Sequence, residues 1–451
     1  MLYQLHDIGR SLLGPVAAWA EASAQLYSNP ASPLSYAPMA RRMAAGLELL
    51  YRLGKDYDKP EWQLPTTTVD GQEVAVDPTV DMDRPFCKLI HFRRAIAAER
   101  NAASPRVLLV APLSGHHATL LRDTVRSLIQ DHDVWVTDWV DARLVPVTAG
   151  GFSLDDYVHY VEDFIRMLGP SVHVISVCQP TVPVLAAIAL MSSRDEPQLP
   201  RSMTMMGGPI DTRVGLTEVN NLAERKPYSW FENNVIYSVP AQYPGYLRRV
   251  YPGFLQHAGF VAMNPDRHLK SHQEFYQDLL KGDLQDTEAH RKFYDEYNAV
   301  LDLPAEYYLQ TIDIVFQRHL LPEGQWTIDG ERVKPQDIRR TALLTVEGEL
   351  DDISGPGQTH AAQTLCSGIA TARKRQMTAE GAGHYGIFSG RRWREQIYPR
   401  VRDFIAANDA AAAPAAKPAA KSAVKPAVKP AVKRVAKKAA ARKSAAARKA
   451  A

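Results

Sequence analysis

Three cysteines in 451 residues cannot all pair and are too few to hold a disulfide scaffold, which points to a reducing compartment. Long apolar runs are also missing. The longest, Val182–Met191, spans ten residues, against the roughly 18 or more that a membrane span requires. The opening MLYQLHDIGR has neither the basic start nor the continuous apolar core of a secretion signal, so a cytoplasmic protein is expected. No glycine-rich phosphate loop is present, which argues against nucleotide use. The nearest thing to a metal pair is His116-His117, but adjacent side chains diverge and no carboxylate or cysteine cluster joins them. Neither a cofactor nor a metal is expected. Cys87, in a strand, and Cys366, in a helical segment, read as packing residues.

Acid is absent from one end of the chain. From Ala410 onward there are 12 Lys and Arg and no Asp or Glu, which leaves 41 basic against 50 acidic residues in the remainder. An acidic body thus carries a basic tail. That tail is Ala, Lys, Arg, Pro and Val apart from two Ser, with the local repeat KPAVKPAVK. It has nothing large to bury and is expected to be disordered alone.

The body is 45% apolar and 23% charged, ordinary for a globular protein. Residues 1–100 open with helical patterns; Met39, Met43, Leu47 and Leu50 form one apolar stripe, and short strands follow at Glu73–Val76 and Phe86–Phe92. Residues 101–210 alternate strand and helix, with apolar runs at 107–111, 133–138, 172–177 and 202–206, so a parallel sheet covered on both faces is expected. Between Tyr228 and Trp326 lie 18 of the 38 aromatic residues, mostly at helical spacings. Residues 211–340 therefore read as a helical cap inserted between strands six and seven. A separate helical domain with its own core is the other reading. The sheet pattern resumes over 341–408, and 409–451 is the tail.

The stretch Val172-His-Val-Ile-Ser-Val-Cys178-Gln-Pro-Thr runs an apolar strand into a polar pair and then a helix, the layout of a nucleophile elbow. The elbow ordinarily has glycines two positions either side; Ser176 and Pro180 stand there instead. A buried strand-end cysteine is the plain alternative. Two later motifs favour catalysis. Strand seven ends in Glu-Gly-Glu-Leu-Asp351-Asp352, and strand eight is followed by Gly381-Ala-Gly-His384. Nucleophile, acid, histidine is the order of an α/β-hydrolase. Cys178 would attack, His384 would carry the proton, and Asp351 would orient the ring, with Asp352 as the competing acid. The backbone amide of Gln179, and one in the loop around Ser114, would hold the oxyanion.

These motifs, with MLYQLHDIGRSLLGP, PLSGHHATLLRDTV, VISVCQPTVPVLAA, TVEGELDDISG and GAGHYGIFSGRRW, resemble the intracellular poly(3-hydroxybutyrate) depolymerases over about residues 1–408. The resemblance implies a cytoplasmic, granule-associated enzyme that attacks amorphous stored polyester with a cysteine, by the triad Cys178, His384 and Asp351, and releases 3-hydroxybutyrate oligomers and monomer. Coenzyme A could replace water as acceptor of a thioester. A polyester synthase of the same fold, or a granule–nucleoid scaffold with a decayed triad, are the competing functions. The tail falls outside the resemblance. Its charge suits DNA, polyphosphate or an acidic granule protein, or no dedicated partner.

Overall fold

Runs such as Arg106–Val110 and Val172–Val177 carry apolar side chains on both sides of the backbone and require cover on both faces. In the computed structural model, which describes residues 2–263 and 265–410, they lie at the middle of a nine-stranded sheet. Its strands are β1 (Thr66–Val69), β2 (Gln72–Arg84), β3 (Cys87–Arg94), β4 (Arg106–Val110), β5 (Asp133–Trp139), β6 (Val172–Val177), β7 (Ser202–Met206), β8 (Ala342–Gly348) and β9 (Lys374–Ala379). The order across the sheet is β1-β2-β3-β5-β4-β6-β7-β8-β9. The first three strands and the β3–β5 pair are antiparallel; every other pair is parallel. This is the α/β-hydrolase fold, as the sequence motifs imply. Leu108, Leu109, Val174 and Ile175 are at most 1% exposed, each such side chain contributing about 1.5–3 kcal/mol relative to exposure.

Two details differ from expectation. β2 is 13 residues long, and β1 pairs with it through a two-residue turn, Asp70-Gly71, at φ +51° and +82°. Positive φ at both positions is the type I′ geometry that Asp-Gly favours. The aromatic insertion accordingly joins β7 to β8, which are strands six and seven when counted from β2. The first helix after β4, expected from the strand–helix alternation, opens as a 3₁₀ turn, Ala118–Leu121, before the α-helix Arg122–Asp131.

At the N-terminus, α1 (Leu2–Ser28) and α2 (Ala40–Gly54) form a hairpin. They meet through small residues: a Cβ on Gly54 would sit 3.1 Å from Ala17 Cβ. The stripe of Met39, Met43, Leu47 and Leu50 is not the covered face of α2. Leu47 is 9% exposed, but the other three are 62, 45 and 41% exposed. Ala40, Ala45 and Gly54 are buried instead, because close helix approach selects small side chains over large ones. The basic tail lies outside the described residues.

Candidate active site

Cys178 follows β6 directly and leads into α3 (Thr181–Ser193). Its φ is +69°, a left-handed conformation uncommon outside glycine. The cysteine N–H is pinned by the Met206 carbonyl at the end of β7, 2.7 Å away. Helix α3 is apolar on all sides and buried from Thr181 to Met191, so its first turn is held rigidly beneath the sulfur. The room that glycines normally give an elbow comes here from the neighbouring strand. A Cβ on Gly207 (φ +57°) would lie 2.6 Å from Ile387 Cδ1 and 3.4 Å from both Asp351 Oδ2 and His384 Cε1; one on Gly208 would lie 1.8 Å from Thr181 Oγ1. Ser176 is fully buried, its hydroxyl 3.4 Å from the Thr204 carbonyl, and Pro180 takes the helix cap at φ −57°.

Asp351 follows β8 and His384 follows β9. His384 Nδ1 lies 2.8 Å from Asp351 Oδ2; the other carboxylate oxygen accepts the amides of Ile353 and Ser354 at 3.0 and 2.8 Å. Asp351 is buried, whereas Asp352 is exposed, so the acid beside the imidazole is Asp351. With Nδ1 so engaged, Nε2 is left for the hydrogen bond between His384 and Cys178. Burial disfavours the imidazolium, but the charge of Asp351, the Cys178 sulfur and hydrogen bonds from both push the His384 pKa well above its ordinary 6.5.

The two other cysteines differ in kind. Cys87 and Cys366 are wholly buried; burial raises the first thiol well above its usual range and pushes the second up to about 12. Cys178 is half-buried and faces a cavity of about 580 Å³. Leu113 and Pro209 of the core line it together with Phe231, Tyr308, Ile312 and Phe316 of the insertion. The walls are apolar, as in pockets that hold uncharged organic ligands. Ser114 and Gln179 line it as well, and the backbone N–H of neither donates to another group among the described residues. The Gln179 carboxamide is buried with both polar atoms unpartnered.

His116 and His117 do not form a metal pair. His116 Nε2 donates to the Tyr297 carbonyl at 3.1 Å, and its ring stacks 5.2 Å from Phe260. Burial pushes the two imidazoles down to about 4 and 3, so both are neutral. His116 is one of several ties from the insertion to the loop carrying Ser114. Leu301 N–H donates to the Gly115 carbonyl (2.8 Å), Tyr307 hydroxyl to the Leu113 carbonyl (3.0 Å), and Thr119 hydroxyl to Glu296 (2.8 Å). Sequence reasoning singled out none of Tyr307, Leu301 or Glu296. The motif EYYLQ was visible only as aromatic content, because a tie across 194 residues leaves no local signature.

Residues 207–409 match the family described as PHB de-polymerase C-terminus. No curated protein matches the chain. Among solved structures it is similar to a monoacylglycerol lipase of Paleococcus ferrophilus (14% identity, 68% of this chain and 96% of that one, TM-score 0.38). It is also similar to a putative lipase of Acinetobacter baumannii AYE (12%, 74% and 93%, TM-score 0.39) and to an esterase of Thermogutta terrifontis (13%, 76% and 97%, TM-score 0.37). The match to the PHB de-polymerase C-terminus thus falls on the second part of a chain whose strand order is that of an α/β-hydrolase.

Proposed function

We propose that this ester hydrolase is an intracellular depolymerase of amorphous poly(3-hydroxybutyrate), working through Cys178, His384 and Asp351. What carries the reading is one juxtaposition: a cysteine held at φ +69°, hydrogen-bonded to a buried histidine whose other nitrogen is 2.8 Å from a buried carboxylate, at the wall of an apolar cavity.

In this mechanism the Cys178 thiolate, paired with the His384 imidazolium, attacks an ester carbonyl carbon. The N–H groups of Gln179 and Ser114 hold the resulting oxyanion. Collapse breaks the C–O bond; the leaving alkoxide takes the proton from His384, leaving an acyl thioester on Cys178. Water then attacks that thioester as neutral His384 removes its proton. The carboxylic acid departs, and thiolate and imidazolium are restored. One ester and one water become one acid and one alcohol. The unpartnered Gln179 carboxamide supplies a donor for the carbonyl of an adjacent repeat unit.

Purified protein is expected to clear a suspension of amorphous granules, and Cys178→Ala to abolish clearing without unfolding the protein. Absence of clearing by the wild type would overturn the reading. Polymer and free coenzyme A formed from 3-hydroxybutyryl-CoA would assign a synthase instead. The protein acts at the granule surface in the cytoplasm on this reading. The basic tail, with its 12 positive charges, is assigned a polyanion such as DNA, polyphosphate or an acidic granule protein. Removing residues 410–451 should then abolish DNA retention at low salt and leave clearing intact.

A further inference from the structure

We infer that the outward face of the α1–α2 hairpin is the surface by which the protein seats on an uncharged apolar polyester, an inference that rests on the polymer reading above. Leu5, Ile8, Leu12, Trp19 and Leu26 recur at spacings of three, four, seven and seven along α1, and they are 57, 56, 70, 60 and 52% exposed. They form one stripe about 32 Å long at 1.5 Å per residue. On α2, Met43, Leu50 and Leu53 are exposed too. Half of the large apolar side chains exposed in the described molecule fall within residues 2–53, so this is a concentrated patch and not the ordinary scatter of surface leucines.

Charge selects the occupant. A surface helix ordinarily turns its charged residues to water; α1 does the reverse. None of its exposed residues is charged. Asp7 accepts from Gln242 at 2.7 Å, Arg10 pairs with Asp56 at 2.6 Å, and Glu21 bonds to Tyr51. In α2, Glu48 and Arg52 are paired with Arg291 and Asp295 at 2.7 and 2.9 Å. The exposed charges of residues 2–54 are Arg41 and Arg42, at the first turn of α2. Helices that lie on anionic lipid carry a row of Lys and Arg on their polar face, which is missing here. No helix among the described residues is long and apolar enough to cross a membrane. An aliphatic polyester has no net charge and offers the hairpin an apolar surface of unlimited extent.

The hairpin is also fixed to the wall of the cavity. His6 stacks on Phe254 at 4.0 Å, and Tyr3 meets the same ring edge-on at 5.5 Å. Phe254 belongs to α4 (Gly253–Met263), whose Gly259 and Phe260 line the cavity. Seating the hairpin therefore holds the polymer at a fixed distance from Cys178.

The test uses full-length protein bearing Cys178→Ala, which leaves the polymer intact, sedimented with surfactant-free amorphous poly(3-hydroxybutyrate) particles. Adding Leu12→Ser, Trp19→Ser and Leu53→Ser should weaken particle binding at least tenfold. In the Cys178 background that triple variant should hydrolyse soluble p-nitrophenyl butyrate within twofold of wild type. Leu12→Asp alone, at the most exposed point of the stripe, should weaken binding several-fold and covers the case of a misfolded triple variant. Equal binding by the variants would overturn the inference. So would anionic vesicles bound as tightly as polymer, or a dimer broken by the triple variant with particle binding unchanged. Particles bound through the hairpin but never hydrolysed by wild type would support the inference and sink the depolymerase reading instead.

Discussion

In the proposed mechanism the chemistry at Cys178 depends on a proton held by His384. Asp351 is the largest influence that keeps His384 charged against its burial. Replacing Asp351 by Asn removes that charge and lets Nδ1 lose its fixed tautomer. The pKa of His384 should fall, so the alkaline limb of the kcat/KM profile should move to lower pH, with kcat reduced by about 10³–10⁴. An unchanged limb measured on a soluble ester would argue that Asp351 does not govern the imidazole. Gly208→Ala is expected to lower stability by at least about 3 kcal/mol in a denaturant titration. A Cβ there would lie within 2.5 Å of three Thr181 atoms, and the first turn of α3 has no space to retreat. Cys178, Asp351 and His384 could be singled out in the sequence because each follows a strand, in the order of this fold. The glycines that accommodate the elbow were not. They follow β7, adjacent to the cysteine in space and distant from it in sequence.

Among the elements, the loop after β4 matters most to the proposed mechanism, which gives it the second oxyanion donor, and it is tied to the insertion. Tyr307 bonds to Leu113, one residue from Ser114. Tyr307→Phe keeps the ring and removes the tie, and its loss should lower kcat about five- to tenfold, in line with a hydrogen bond of about 1 kcal/mol. KM and thermal stability should stay close to wild type. A change confined to KM would mean that Tyr307 shapes the cavity and does not position the loop. Strands of the buried parallel type announced themselves as continuous apolar runs. The β1–β2 hairpin has a local signal in Asp70-Gly71, the dipeptide that a type I′ turn favours. The covered face of α2 was not legible from periodicity, since small residues, not the methionine and leucine stripe, make the close contact with α1.

For the whole molecule, acid stability is set by histidines the fold keeps neutral. Burial pushes His116, His132 and His173 down to about 4 and His117 to about 3. These groups are lowered in the folded state, so the stability they contribute is present above the unfolded value of 6.5 and is lost as pH falls toward 4. Asp141, pushed up to about 7 by burial and by Asp302, works in the opposite direction, as do Asp302, Asp155 and Glu296, which burial also raises. Burial lowers His290, His257, His272 and His360 as well, so the histidines outnumber these carboxyls. The melting temperature should therefore decline between pH 6.5 and pH 4, with proton uptake on unfolding in that window. A flat profile would contradict this assignment of neutral histidines. The division into an acidic body and a basic tail could be read from charge alone. The apolar hairpin surface could not, because exposure is a property of the folded assembly of helices.

The most direct measurement is a trap for the thioester. Protein mixed with an activated 3-hydroxybutyryl ester, quenched in acid and digested, should yield one peptide heavier by a single 3-hydroxybutyryl group, with the group on Cys178. The adduct should be absent in Cys178→Ala and should disappear from wild type on the timescale of turnover. An adduct on any other residue, or turnover that persists once Cys178 is alkylated, would contradict a cysteine nucleophile.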